Sequence, residues 1–350
     1  MNRSRRLIVT AAAISALGIG FSFSSRLTGT ARAAVGPIPA EALALPADSA
    51  MVMGFDVRAL TSSQFYAKFG GEGEPGRVDA LAEIERKTGL NPERDIDSVV
   101  VAVRPNAQES AQEPNTEGAR KRHSERALVF VTGRFDAARL EASIPDAGKA
   151  SKERRDGVTI YREATGRSNG AVALLDAGIL VAGDATSVET FLANRSTGHG
   201  IRDSRELVAM LESIEPGSTF WAVGGPSVLS RMTSGVGGPA ANLPSVKQVV
   251  AYGHLDPEVG MTATAEATDA KSATKIADVL RGFSAMLSLQ AGGKAELAQI
   301  ADSISVATED DKVHVKATIT HELIASLKKS MGPAAHTRVR KAVAETEIHD

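Results

Sequence analysis

Two stretches of this chain follow one plan, and that plan limits what the chain can fold into. Ala44–Leu60 reads ALPADSAMVMGFDVRAL, and Glu215–Leu229 reads EPGSTFWAVGGPSVL. Each runs from a Pro through small or acidic residues into a short apolar run, then a Gly, then a Leu. The elements after each opening keep one order. A strand pair follows, SVVVAV with ALVFVTG in the first half and SVKQVVAYGHL with GMTATAEAT in the second. Next comes a helix opening on Asp-Ala, at Asp136 and at Asp269. Each half closes with a hairpin and a helix, ALLDAGILVAGDATSVETFL and SVATEDDKVHVKATITHELIASL. A shared order of this kind predicts one unit built twice. A competing register sets VTGRFD against AYGHLD, so the register of the repeat stays open.

Antiparallel hairpins with helices grouped beside them predict an α+β fold. The expectation is two related halves, each an antiparallel sheet with helices packed on one side. The first repeat is expected over residues 45–212 and the second over 213–331, with a C-terminal helix or tail at 332–350. The opening strands, Met51–Phe55 and Thr219–Val223, are apolar at nearly every position, which predicts burial on both faces.

Residues 1–34 read as a cleaved export signal. MNRSRR is a basic start, LIVTAAAISALGIGF an apolar run, and ARAA supplies small residues for cleavage near Ala33 or Ala34. The apolar run falls short of the roughly 20 residues that span a bilayer, so no stable membrane span is expected after cleavage. SRRLIV (Ser4–Val9) also fits a twin-arginine export route. The expected location is periplasmic or secreted.

Charge and cysteine content close off several chemistries. The first 33 residues hold Arg3, Arg5, Arg6, Arg26 and Arg32 and no acid; the rest carries 35 basic against 42 acidic residues, a net of −7. A mildly acidic body argues against nucleic acid as a partner. The chain has no Cys, which excludes disulfides, thiolate nucleophiles and Cys-ligated zinc. Arg104–Arg126 has Ala as its only apolar residue type and separates two strong strands, so it reads as a long polar hairpin loop.

LPADSAMVMGFDVRAL, TGLNPERDIDSVVVAV and PGSTFWAV, in this order, resemble a group of uncharacterised exported bacterial proteins with a duplicated domain of unknown function. The resemblance spans most of Leu45–Leu327. It implies an extracytoplasmic location and no established activity, and it carries no functional residue across.

Each chemical motif fails on a required residue. HELIA (His321–Ala325) begins like a zinc-protease helix, but Ala325 stands where the second His should be, so His321 and Glu322 read as helix-start residues. His314 alternates with apolar residues in VHVKATIT and reads as an exposed strand residue. In GGPSVLS, Leu229 replaces the second Gly of a hydrolase elbow, and Ser227 reads as a helix start. GVGGPAAN lacks the Lys-Ser/Thr of a phosphate loop. TEDDK (Thr308–Lys312) lacks calcium-loop spacing and reads as a charged hairpin turn. No catalytic residue, metal ligand or cofactor is therefore assigned. The expectation is a non-catalytic envelope protein that binds an envelope partner or a small apolar ligand. The alternatives are an unrecognised extracytoplasmic hydrolase, or a carrier holding an apolar ligand between the repeats.

Overall fold

The computed structural model describes residues 36–70, 82–86, 89–105, 126–136, 138–140, 150–163, 169–176, 178–226, 244–290 and 295–329. The export signal, Ser227, most of the Gly/Pro-rich stretch before Pro244 and residues 332–350 lie outside them.

Twelve strands form one antiparallel sheet. They are β1 (Met51–Asp56), β2 (Ile96–Arg104), β3 (Arg126–Gly133), β4 (Ala150–Arg155), β5 (Val158–Glu163) and β6 (Gly170–Asp176). Then come β7 (Ile179–Asp184), β8 (Phe220–Gly224), β9 (Val246–His254), β10 (Val259–Ala267), β11 (Ser305–Glu309) and β12 (Lys312–Ile319). Across the sheet the order is β11-β12-β10-β9-β8-β1-β2-β3-β7-β6-β5-β4. β1 and β8 sit together near the middle, paired from Met51↔Gly224 to Phe55↔Phe220. Their apolar runs match that place, because a central strand is packed on both sides.

The helices are α1 (Val57–Thr61), α2 (Gln64–Phe69), α3 (Pro92–Asp95), α4 (Ala185–Thr197), α5 (Arg205–Glu212), α6 (Ala270–Gln290) and α7 (Ala295–Ser303). Residues 321–329 are also helical. One face of the sheet carries Val52, Val100, Phe130, Val181, Trp221 and Val223. The 3-10 helix Ala40–Ala44, α4 and α5 cover it, through residues such as Leu43, Phe191 and Leu211. That 3-10 helix packs into the core ahead of Leu45, where the first unit was expected to begin. The opposite face divides into two clusters. Leu90, Phe135 and Leu140 pack on Val99, Val129 and Val131. Ala273, Ile276 and Ala277 of α6 pack on Met51, Val249 and Val313.

Two expectations are thereby corrected. The sheet is continuous, where a separate sheet for each half was expected. The first-half strands are also covered on both faces, not one. The physical reason lies in SVVVAV and ALVFV, which are apolar at consecutive positions and so carry burial to both sides.

Local signals explain most helix starts. Asp56, Ser63, Asp184 and Ser204 each accept a backbone N–H of the first turn that follows. Asp136 accepts from Arg139, and Asp269 accepts from Ser272, so both Asp-Ala pairs open helical turns as expected. Three elements were not legible. α3 starts at Asn91 with Pro92 at its first position, but it is only four residues long. α7 fills a stretch ahead of the closing hairpin for which the sequence predicts no element. β4 reads ASKERR, with no large apolar side chain. It is an edge strand, held to β5 by the Asp156–Gly157 turn, where both residues have positive φ. Its charges also protect the edge from further pairing.

The polar segment begins one residue inside each strand. Arg104 and Arg126 form the last pair of the β2–β3 ladder. Arg104 is also held by Asp48 at 2.7 Å and reaches Thr190 at 3.4 Å. Residues 106–125 lie outside the described residues. Since the ladder ends face each other, replacing 106–125 by a short Gly/Ser turn should leave the melting temperature within a few degrees, as loop entropy varies slowly with length. A fall of about 10 °C, measured by calorimetry, would show that the segment packs.

Candidate functional site

The apolar cover of the first face stops at Val250 and Tyr252 on β9. Beyond it, the same face continues onto β10, β12 and β11 with polar residues. The pattern follows from alternation. Val313 is buried against α6 and Val315 packs beside it, which turns Lys312, His314, Lys316 and Thr318 to the other side. On β10, Ala265 faces α6, which turns Thr262, Thr264 and Glu266 to the open side. The register sets them in rows: Glu266 faces Lys312, Thr264 faces His314, and Thr262 faces Lys316. On the outer strand, Glu309, Ala307 and Ser305 face Lys312, His314 and Lys316. These residues are half-buried or exposed.

One end of this face is electrostatically self-satisfied. The β9–β10 ladder is irregular at Glu266 and Ala267, and both Lys247 and Gln248 reach Glu266, at 3.1 and 2.8 Å. Lys247 also bonds Asp311 at 2.8 Å. The Asp311 and Glu266 carboxylates hold the Lys247 ammonium above its ordinary pKa, with Asp311 the larger influence. The Lys247 hydrogen bond in turn lowers the Asp311 pKa. Toward the other end the pairing stops. His314 meets Thr264 Oγ1 through Nδ1 at 3.1 Å, while its Nε2 lies 3.7 Å from Glu309, beyond hydrogen-bond reach. The expected exposed strand position of His314 is therefore half-covered by these two neighbours. Lys316 stands between Thr262 and Ser305 in the register.

At the border of the two surfaces stands Trp221, 5% exposed. Its ring lies on Gly54 of β1, where an added Cβ would fall 2.2 Å from the ring. The pairing of β1 with β8 and this ring close the middle of the sheet. α5 lies over β8 and β9 and forms a ledge beside the open strands.

His321 is placed apart from His314. It begins the last helical stretch, as expected, and is 5% exposed. Nε2 donates to the Leu255 carbonyl at 2.7 Å, and Phe65 and Phe69 meet the ring edge-on. Asp256, next in the chain, accepts the backbone N–H groups of Gln64 and Phe65 and so caps α2. Glu322 pairs with Lys68 of α2 at 2.6 Å, and that bond holds its pKa down. His321 and Glu322 thus tie the C-terminal helix to α2, a structural role the sequence did not disclose. Asp310, with positive φ, makes the β11–β12 turn within TEDDK. Among the described residues, no three His, Asp or Glu side chains are grouped to hold a metal ion. No described helix is long and apolar enough to cross a membrane.

The depressed carboxylates give a pH dependence of known sign. Asp203, Asp269, Asp311 and Glu322 all have folded pKa values below their ordinary 3.8 or 4.5. Their stabilisation is fully present above the unfolded values and is lost as pH falls through the folded ones. Unfolding midpoints in urea should therefore fall below about pH 4, and Asp269→Asn should flatten that acid limb. An unchanged limb in this variant would show that ionisation of Asp269 adds nothing to stability.

No family model matches the chain, and no curated protein matches it. The resemblance read from the motifs thus has no matching family model behind it. Similar solved structures include crystal forms III, I and IV of TP0453. They are 13, 14 and 12% identical, with TM-scores of 0.45, 0.46 and 0.44. The matches cover 82, 86 and 81% of this chain and 96, 99 and 94% of the other. The likeness is a weak one, at the level of fold.

Proposed function

We propose that this protein is an exported, non-catalytic binding module of the cell envelope that engages its partner on the open face of β9, β10, β12 and β11. The observation that carries the reading is the change in cover across one sheet face. Helices bury it over the first-half strands, and polar side chains line it beyond Tyr252. A broad, half-solvated sheet with fixed side-chain rows is a rigid platform, and rigid elements hold binding groups more precisely than loops do.

The repeat reading is kept within this proposal. Outward from the centre the strands run β1-β2-β3-β7-β6-β5-β4 on one side and β8-β9-β10-β12-β11 on the other, so the first five of each side follow one order and β5 and β4 extend the first. The export reading rests on residues 1–34. N-terminal sequencing of the envelope fraction should find a chain starting at Ala34 or Val35, and an intact Met1 in the membrane would overturn it. A carrier of an apolar ligand between the repeats is not favoured, since Trp221 and the β1–β8 ladder occupy that seam.

The test of the binding reading is positional. A photo-crosslinking residue at Thr318 should capture a reproducible partner in the envelope, while one at Thr197 on α4 should not. Equal capture at both sites would overturn it. So would saturable turnover of an ester, peptide, phosphate or glycoside substrate that one polar-to-Ala change abolishes.

A further inference from the structure

We infer that the outer edge of β11 is a pairing site for a second copy of this chain, and that Arg281 of α6 keeps it shut. The inference does not depend on what the open face binds. β11 is five residues long and ends the sheet, with β12 on its inner side. A terminal strand invites another strand, because its outward backbone groups have no neighbouring strand to bond. The other end of the sheet, β4, is protected by Lys152, Glu153, Arg154 and Arg155. β11 reads SVATE, with a single charge at its last position. Its composition leaves the edge open, so its protection has to come from another element.

The register shows which atoms are at stake. Glu309 and Lys312 flank the two-residue turn of Asp310 and Asp311, so they form a hydrogen-bonded pair. Such pairs alternate along an antiparallel ladder, which makes Ala307 with His314 and Ser305 with Lys316 bonded pairs as well. Val306 and Thr308 fall between them, so their N–H and C=O groups point away from β12 and out of the sheet. Arg281 takes one of these groups: its Nη2 donates to the Val306 carbonyl at 3.2 Å. Nη1 of the same guanidinium donates to Asp278 at 3.1 Å, one turn earlier on α6. The planar fork serves both partners at once, which suits Arg better than Lys. The Val306 side chain packs with the cluster beneath α6, so helix, arginine and edge strand are held together.

A second β11 fits this edge by symmetry. Antiparallel pairing centred on Ala307 sets Val306 of each copy against Thr308 of the other, and Ser305 against Glu309, with no like charges opposed. That pairing needs the Val306 carbonyl of each copy as an acceptor. Arg281 occupies this acceptor, and its guanidinium stands in the path of the incoming strand.

The experiment measures the mass of the purified protein by light scattering over a concentration series. The unsubstituted protein should stay monomeric. Arg281→Met keeps the length of the side chain and removes its donors; it should dimerise, with a dimer Kd at least about tenfold below that of the unsubstituted protein. Asp278→Ala, which releases Arg281 from its anchor, should shift the same way by less, and it carries the test if Arg281→Met fails to fold. Thr308→Pro added to Arg281→Met should restore the monomer, because proline lacks the N–H that a partner strand needs and that β12 does not use. Hydrogen exchange at Val306 should slow in the dimer and recover in the proline variant. Melting temperatures establish that each variant is folded. A dimeric unsubstituted protein, a folded Arg281→Met that stays monomeric, or a dimer that survives Thr308→Pro would overturn the inference.

Discussion

Trp221→Ala should lower stability by about 3–5 kcal/mol, because it removes a large buried ring from the centre of the sheet and leaves a cavity that two paired strands cannot close. Trp221 lies on the same face as Val223 and Val52, beneath helices that themselves depend on that surface. Gly54→Ala should also destabilise, by about 1–3 kcal/mol, since its methyl would meet the indole. The informative result is the double variant. With the ring gone, the methyl at position 54 enters space instead of colliding. Trp221→Ala/Gly54→Ala should therefore be less destabilised than the two single changes added together, by more than about 1 kcal/mol. Urea denaturation of the four proteins measures that difference. Strict additivity would mean that the ring and Gly54 do not share the space described.

Phe191→Ala should cost a comparable amount, about 3–5 kcal/mol. Phe191 is the buried anchor of α4, and its ring centroid lies 5.8 Å from that of Phe130 on β3. α4 is well ended, with Asp184 capping its start and Gly198 in the left-handed conformation at its close. Caps of this kind contribute about 1 kcal/mol each, so the helix depends mainly on the contact of its apolar side with the sheet. Phe191→Leu keeps most of the volume and should cost less than the Ala change. A loss under about 1 kcal/mol for Phe191→Ala would mean that α4 is not docked through this ring.

Local chemistry accounts for the elements that sequence disclosed. Met51–Phe55 and Thr219–Val223 are apolar without alternation, and they became central neighbours in the sheet. Asp136 and Asp269 announce helix starts because a short side chain ahead of a helix can accept its free N–H groups. His314 was placed on the polar side of its strand from alternation alone, and the structure sets it there beside Thr264. β4 escaped because its polar residues carry no apolar period; only the Asp-Gly turn and a partner strand make it a strand.

Which elements form, where they start, and which side of each strand is apolar are decided within a few residues of chain, by periodicity and capping, and so could be read directly. How those elements meet is decided between residues far apart. The pairing of β1 with β8 makes one continuous sheet, Trp221 closes over Gly54, and His321 reaches the Leu255 carbonyl and the rings of α2. The open polar face belongs to this second kind. Lys316 and Thr262 are each unremarkable as sequence neighbours of Val315 and Met261. They become one surface only because β10 and β12 pair in a register that sets them opposite each other, while α6 takes the other side. Pairing partners and layer order depend on long-range burial and hydrogen bonding, which no local window of the chain contains.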